Sequence, residues 1–279
     1  MSTVLTIARR RPRITLWVSV AILAFFILVA ILSLGPLPHD PTEFITDEPF
    51  APPTSGLWLG SDSLGRDVLS RLIEATRITL AMALAATILA HLIGDTLGLL
   101  AAIKGGIIDG MLSRAVDVVL SLPKIIIGLV VVAALGPSIG VIVGLAAIVY
   151  AAGVFRIARA LGNDLVNMDY ITVARSRGEG LGWILFGEML PHVVRPLAAD
   201  FAIRMSFAIL FMSSLSFLGL GVQPPQADWG GLAREGLSGL SSNPYAAVAP
   251  AVCIALVSIS LNLLVDALER TPVRGNSDG

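Results

Sequence analysis

Charge is scarce in this chain. Asp, Glu, Lys and Arg together make up 14% of its 279 residues, whereas hydrophobic residues make up 55%. About a quarter of an average soluble protein is charged. A mean hydropathy of +0.84 therefore excludes an ordinary soluble domain and indicates an integral membrane protein. There are only two lysines, Lys104 after Ile103 and Lys124 after Pro123. Neither completes the Gly-x-x-x-x-Gly-Lys-Ser/Thr loop that cradles nucleotide phosphates, so an ATP-driven activity needs its nucleotide site on another subunit. The single cysteine, Cys253, excludes an internal disulfide and lies in an apolar run as a packed thiol. His, Cys and Met form no cluster at ligand spacing, which gives no sign of a metal site. A net charge of −1 offers no footprint for nucleic acid.

What the chain has instead is long apolar runs. Ile14 to Leu34 carries no charge and is long enough to cross a hydrocarbon core of roughly 30 Å as a helix. Arg9, Arg10, Arg11 and Arg13 precede it. The run is too long for a signal peptide and ends Leu-Gly-Pro-Leu-Pro, so it reads as an uncleaved span with a cytoplasmic N-terminus. Residues 35–77 form a proline-rich, acidic connection placed outside. Its second half reads as a turn and a short amphipathic helix with Leu64, Val68, Leu69, Leu72 and Ile73 on one face, capped by Ser61 or Ser63.

Five further spans are expected. Ile78 to Ile103 is the second, with His91 and Asp95 on one face at i and i+4, and Gly94 and Gly98 as a close-packing pair. A turn at Lys104-Gly-Gly leads to residues 107–135, bent at Pro123. Ile139 to Phe155 is the fourth, Leu197 to Leu220 the fifth with Asp200 and Arg204 paired near its cytoplasmic end, and Ala246 to Leu268 the sixth. This arrangement puts Lys104 and most arginines inside, against Arg66, Arg71, Arg77 and Arg234 outside. Such a bias supports two cytoplasmic ends. The chain divides into residues 1–34, the outside loop 35–77, a core 78–268 and a tail 269–279.

Three features could carry function. Ionisable groups within the spans are functional by default. His91 and Asp95 would serve a proton-coupled secondary transporter, or they pair structurally, as Asp117 and Lys124 are expected to do near the interface. Gly236-Leu-Ser-Gly matches an intramembrane serine protease pattern, but Ser238 falls in the outside loop 221–245 with no histidine placed to act as its base. The cytoplasmic stretch 160–196 is a polar, basic, glycine-containing island. Tyr170, Ile171, Val173 and Ala174 there predict a short amphipathic helix ended by Gly178, suited to a groove on a partner. The segment Ser216 to Leu232 reads either as a helix terminus with an interfacial Trp229 or as a docking surface outside.

Thr172-Val-Ala, Gly178 and Leu190-Pro191 stand at the spacing of the cytoplasmic coupling motif of binding-protein-dependent ABC transporter permeases. Leu59-Gly-Ser-Asp-Ser-Leu-Gly-Arg-Asp, with Gly60, Asp62, Gly65, Arg66 and Asp67, resembles the C-type permease of dipeptide, oligopeptide and nickel importers. Phe217-Leu-Gly-Leu-Gly-Val-Gln-Pro-Pro and Asp228-Trp-Gly, with Gly219, Gly221, Pro224, Pro225, Trp229 and Gly230, do so too. The resemblance covers nearly the whole chain. It implies an all-α type I importer permease of six spans in a bacterial inner membrane, non-catalytic and without a bound cofactor. Its implied partners are a second permease, two ATPases that carry ATP and Mg, and an extracytoplasmic solute-binding protein. Peptides are the implied solute class, with nickel, opines and sugars handled by relatives. Thr172 replaces the motif's usual acidic residue, so partner contacts are expected from Tyr170, Ala174, Arg175 and the Gly178 turn.

Overall fold

The computed structural model describes residues 12–269. The cytoplasmic placement expected for Arg9, Arg10, Arg11 and the tail after Glu269 concerns residues outside that range. The described residues form helices α1 (Pro12–Leu32), α2 (Val68–Lys104), α3 (Gly106–Ser121), α4 (Lys124–Leu135), α5 (Ile139–Leu165), α6 (Asp169–Ser176), the single turn α7 (Leu181–Trp183), α8 (Leu190–Phe217), α9 (Trp229–Gly236) and α10 (Tyr245–Glu269). A π-helical stretch, Ile184–Met189, joins α7 to α8. Five of the helical stretches are long and apolar enough to cross a membrane, and α3 with α4 makes a broken sixth.

The centre of the fold is the seam between α2 and α5. Lipid supplies no hydrophobic drive for helix pairing, so close packing must do it, and small residues permit that. The Gly94 and Gly98 pair does so as expected. A Cβ on Gly94 would lie 2.6 Å from Val154 Cβ, and one on Gly98 would lie 2.7 Å from the Phe155 carbonyl. Ala83, Ala86 and Ala90 continue the seam fully buried.

Three sequence-based expectations need correction. The amphipathic helix before the second span is not separate, because α2 runs unbroken from Val68 to Lys104. Its cap is Asp67, whose carboxylate accepts from the Leu69 and Ser70 amides. Ser61 faces the other way, its hydroxyl accepting from Ala51 N at 2.8 Å and donating to the Glu48 carbonyl. The third span does not merely bend at Pro123; α3 and α4 meet at 88°. Pro123 lacks the amide that would continue α3, and the residue before a proline is forced extended, as Leu122 is at ψ 141°. Finally, Asp117 and Lys124 do not pair. Asp117 accepts from Arg156 Nη2 at 2.7 Å, while Asp109 binds Arg159, so two acids fasten α3 to the end of α5.

Candidate functional site

At one end of the bundle, α6 forms where the sequence predicts it. Its residues divide by helical period: Ile171 and Ala174 are fully buried in a cluster with Leu99, Ala158, Leu185, Met189 and Val193. Thr172, Val173 and Arg175 are exposed on the opposite face. Ala174 therefore cannot be a partner contact as expected, since it faces this chain's own core. The helix stops by a Schellman arrangement, with Gly178 at φ 76°, its amide donating to the Arg175 carbonyl and Glu179 N donating to the Ala174 carbonyl. The island is also shorter than the stretch 160–196, because α5 reaches Leu165 and helix resumes at Leu181.

Several contacts tie α6 to the helix above it. The Tyr170 ring stacks on His192 of α8, centroids 4.7 Å apart and planes within 18°. Burial, helped by the nearby Glu188 charge, raises the Tyr170 phenol above its ordinary range. Arg177 reaches Glu188 at 3.5 Å, and Glu188 also accepts from the Trp183 indole. Glu188 and His192 thus bind this segment to the helix that follows it. Leu190 packs against the same cluster, and Pro191 lies where the π-helical stretch passes into α8.

Of the family-motif residues at the other end, Gly60, Asp62, Gly65, Arg66, Asp67, Gly221, Trp229 and Gly230 are buried, whereas Pro224 and Pro225 are exposed. Asp62 accepts from Arg66 Nε at 2.7 Å and from Arg71 Nη1 at 2.5 Å, and Arg71 also binds Glu235 at 2.6 Å. Gly60 and Gly65 take positive φ, and a side chain at either would strike the Ala51 or Thr46 carbonyl. Gly219 also has positive φ, and Pro224-Pro225 is a cis bond. Trp229 is fully buried, its indole donating to Thr76 Oγ1 and its ring meeting Phe26 edge-on at 5.5 Å. It is neither interfacial nor a docking residue. Asp228 caps α9 by accepting from Gly231 N, and its burial raises its carboxyl above the ordinary range. A Cβ on Gly230 would meet the Ser213 carbonyl at 2.2 Å, and one on Gly221 would overlap Ser216. The loop before α2 and the loop before α10 thus interlock, with Asn243 donating to the Leu59 and Ser61 carbonyls. Ser238 is exposed and donates to the Glu235 carbonyl.

Between these two ends lies a line of charged groups. His91 Nδ1 is 3.1 Å from Asp95 and its Nε2 is 3.8 Å from Asp200, which holds Arg204 Nε at 3.1 Å. The sequence indicates both i, i+4 pairs, but not that they join. A cleft of about 210 Å³ beside His91 and Asp95 is bordered by Phe186 of the π-helical stretch and Leu190 of α8.

Residues 94–273 match the family described as binding-protein-dependent transport system inner membrane component. The chain belongs to that family. It is a multi-pass permease of a bacterial inner membrane. This permease is 38% identical to the glutathione transport system permease protein of Pectobacterium atrosepticum, over 83% of this chain and 77% of that one. It is 34% identical to the di/tripeptide transport system permease protein of Pseudomonas aeruginosa, over 83% and 78%. Against the dipeptide transport system permease protein of Haemophilus influenzae the identity is 31%, over 88% and 86%. The similarity runs over most of both chains in each case.

Proposed function

We propose that this permease forms half of the pathway of an ATP-driven peptide importer, beside a second permease. An extracytoplasmic binding protein delivers the peptide, and two partner ATPases bind the ATP and Mg that this chain has no P-loop to hold. The observation that carries the reading is α6: a short helix with one face seated in the permease core and the other, Thr172, Val173 and Arg175, left open. Seated this way, α6 transmits a partner's movement to α8 through the Tyr170–His192 stack and the Arg177–Glu188 pair. The cytoplasmic position of both termini follows from the arginine bias. The relatives transport glutathione and short peptides by name, which selects peptides over nickel, opines or sugars.

The competing mechanism is proton-coupled transport through His91 and Asp95. Uptake of labelled dipeptide by proteoliposomes containing the assembled complex separates the two. Uptake that requires internal ATP and survives an uncoupler supports the importer reading. Uptake without ATPase subunits that collapses with an uncoupler would reject it.

A further inference from the structure

Two cations, Lys124 and Arg204, pack at mid-depth against Tyr150 and Gly153, one turn apart on α5. Lys124 opens α4, eleven residues before its end at Leu135; Tyr150 lies eleven residues into α5; Arg204 precedes the end of α8 at Phe217 by thirteen. At about 1.5 Å per residue all three sit roughly 17–20 Å from the helix ends at Leu135, Ile139 and Phe217, near the middle of a hydrocarbon core of about 30 Å. The placement expected for Arg204 and Lys124 near the interface is corrected, because α8 runs on to Leu190 and α3 turns away at the break. The 88° break before Lys124 is what brings an ammonium to that depth. Among the described residues Lys124 makes no ion pair; its Nζ lies over the Tyr150 ring, 4.8 Å from the centroid. Lys124 is exposed in this chain, and Arg204 is near enough for its charge to act on both Lys124 and Tyr150.

Arg204 is held in a particular way. Asp200 takes only its Nε, through both oxygens at 3.1 and 3.2 Å. The two terminal nitrogens have no hydrogen-bond acceptor among the described residues and lie flat over Gly153, where a Cβ would stand 2.7 Å from Nη1 and 3.0 Å from Nη2. The side chain is 15% exposed. Asp200 therefore orients the guanidinium while leaving its outer fork unspent, and a glycine makes the room. A planar fork with two parallel N–H donors matches a carboxylate, and a nearby ammonium adds a point charge. Leaving the outer guanidinium nitrogens and an ammonium without acceptors at mid-membrane depth is costly. A passing anionic group would relieve that cost.

We infer that Arg204 and Lys124, with Gly153 as the seat of the guanidinium, form a carboxylate-receiving site in the translocation pathway, and that its ligand is the C-terminal carboxylate of the transported peptide. This rests on the peptide reading above. The alternative occupant, an acidic side chain of the second permease, is decided by the test.

The test uses the complete transporter in proteoliposomes with saturating binding protein, and measures uptake of a dipeptide and of its C-terminal amide. Variants are Lys124→Met, Arg204→Lys, which keeps the charge and loses the fork, and Gly153→Ala, which keeps every charge and displaces the fork. Each should lower the acid-to-amide uptake ratio about tenfold or more relative to wild type, the scale of one charge-assisted hydrogen bond. Amide uptake should change little. Equal loss of acid and amide transport would mean a structural pair and overturn the site, as would an unchanged ratio. Wild-type complexes that import neither compound would overturn the peptide reading itself.

Discussion

Replacing Ala174 by glutamate and Val173 by glutamate should have opposite physical causes and one shared consequence. Ala174 is fully buried, so its variant must either bury a carboxylate or unseat α6. Burying an ion costs several kcal/mol even after relaxation. The helix is held mainly by Ile171 and Ala174, and burial of one isoleucine contributes about 1.5–3 kcal/mol. The penalty exceeds the seat, so Ala174→Glu should release α6 from the cluster. Val173 is 53% exposed, and a charge there should shift this chain's stability by no more than about 0.5 kcal/mol. It would instead place a carboxylate against whatever receives the helix. Membrane content, thermal unfolding and binding-protein-stimulated ATP hydrolysis distinguish the two. Both variants should reach the membrane and lose stimulation, with the unfolding midpoint lowered for Ala174→Glu alone. Normal stimulation in both would refute the assignment of α6 as the coupling element, and an unchanged midpoint for Ala174→Glu would refute its seating.

Gly178→Ala should cost about 1–2 kcal/mol from the left-handed backbone alone, since nothing lies within 4 Å of the added Cβ. Gly178→Pro, which also removes the amide bonded to Arg175, should abolish uptake while the chain still accumulates in the membrane; normal uptake by the proline variant would sink the turn's role. Trp229→Ala should destabilise the outer cap by about 3–5 kcal/mol, read as a lower unfolding midpoint in detergent, whereas Trp229→Phe should lose chiefly the bond to Thr76. Gly98→Val should force α2 from α5 and cost about 1–3 kcal/mol or more, visible as reduced protein in the membrane.

Much of this architecture is readable in the sequence because its causes are local. Apolar runs mark the spans, the Gly94 and Gly98 spacing marks the tightest seam, and Asp200 with Arg204 needs only helical period to pair. The amphipathic face and Gly178 stop of α6 are likewise local. Contacts that depend on the packed fold are not readable. Asp62, Arg71 and Glu235 meet across 164 residues of chain, and Trp229 reaches Thr76 across 153. Asp117 and Lys124 looked like partners on one helix until the break at Pro123 sent them to Arg156 and Tyr150. At the start of α2, three polar residues competed to cap, and Ser61 was taken by the loop's own amides and carbonyls. The outside motif was visible as a pattern, but whether it faced a partner or the interior depended on burial.

In the proposed function this permease passes peptide-triggered movement between an outer binding protein and inner ATPases. The most direct measurement is ATP hydrolysis by the reconstituted complex as its binding protein is loaded with peptide. Hydrolysis should rise with dipeptide-loaded binding protein and lose that rise in Val173→Glu. Hydrolysis that ignores peptide loading, or a rise that survives Val173→Glu unchanged, would contradict it.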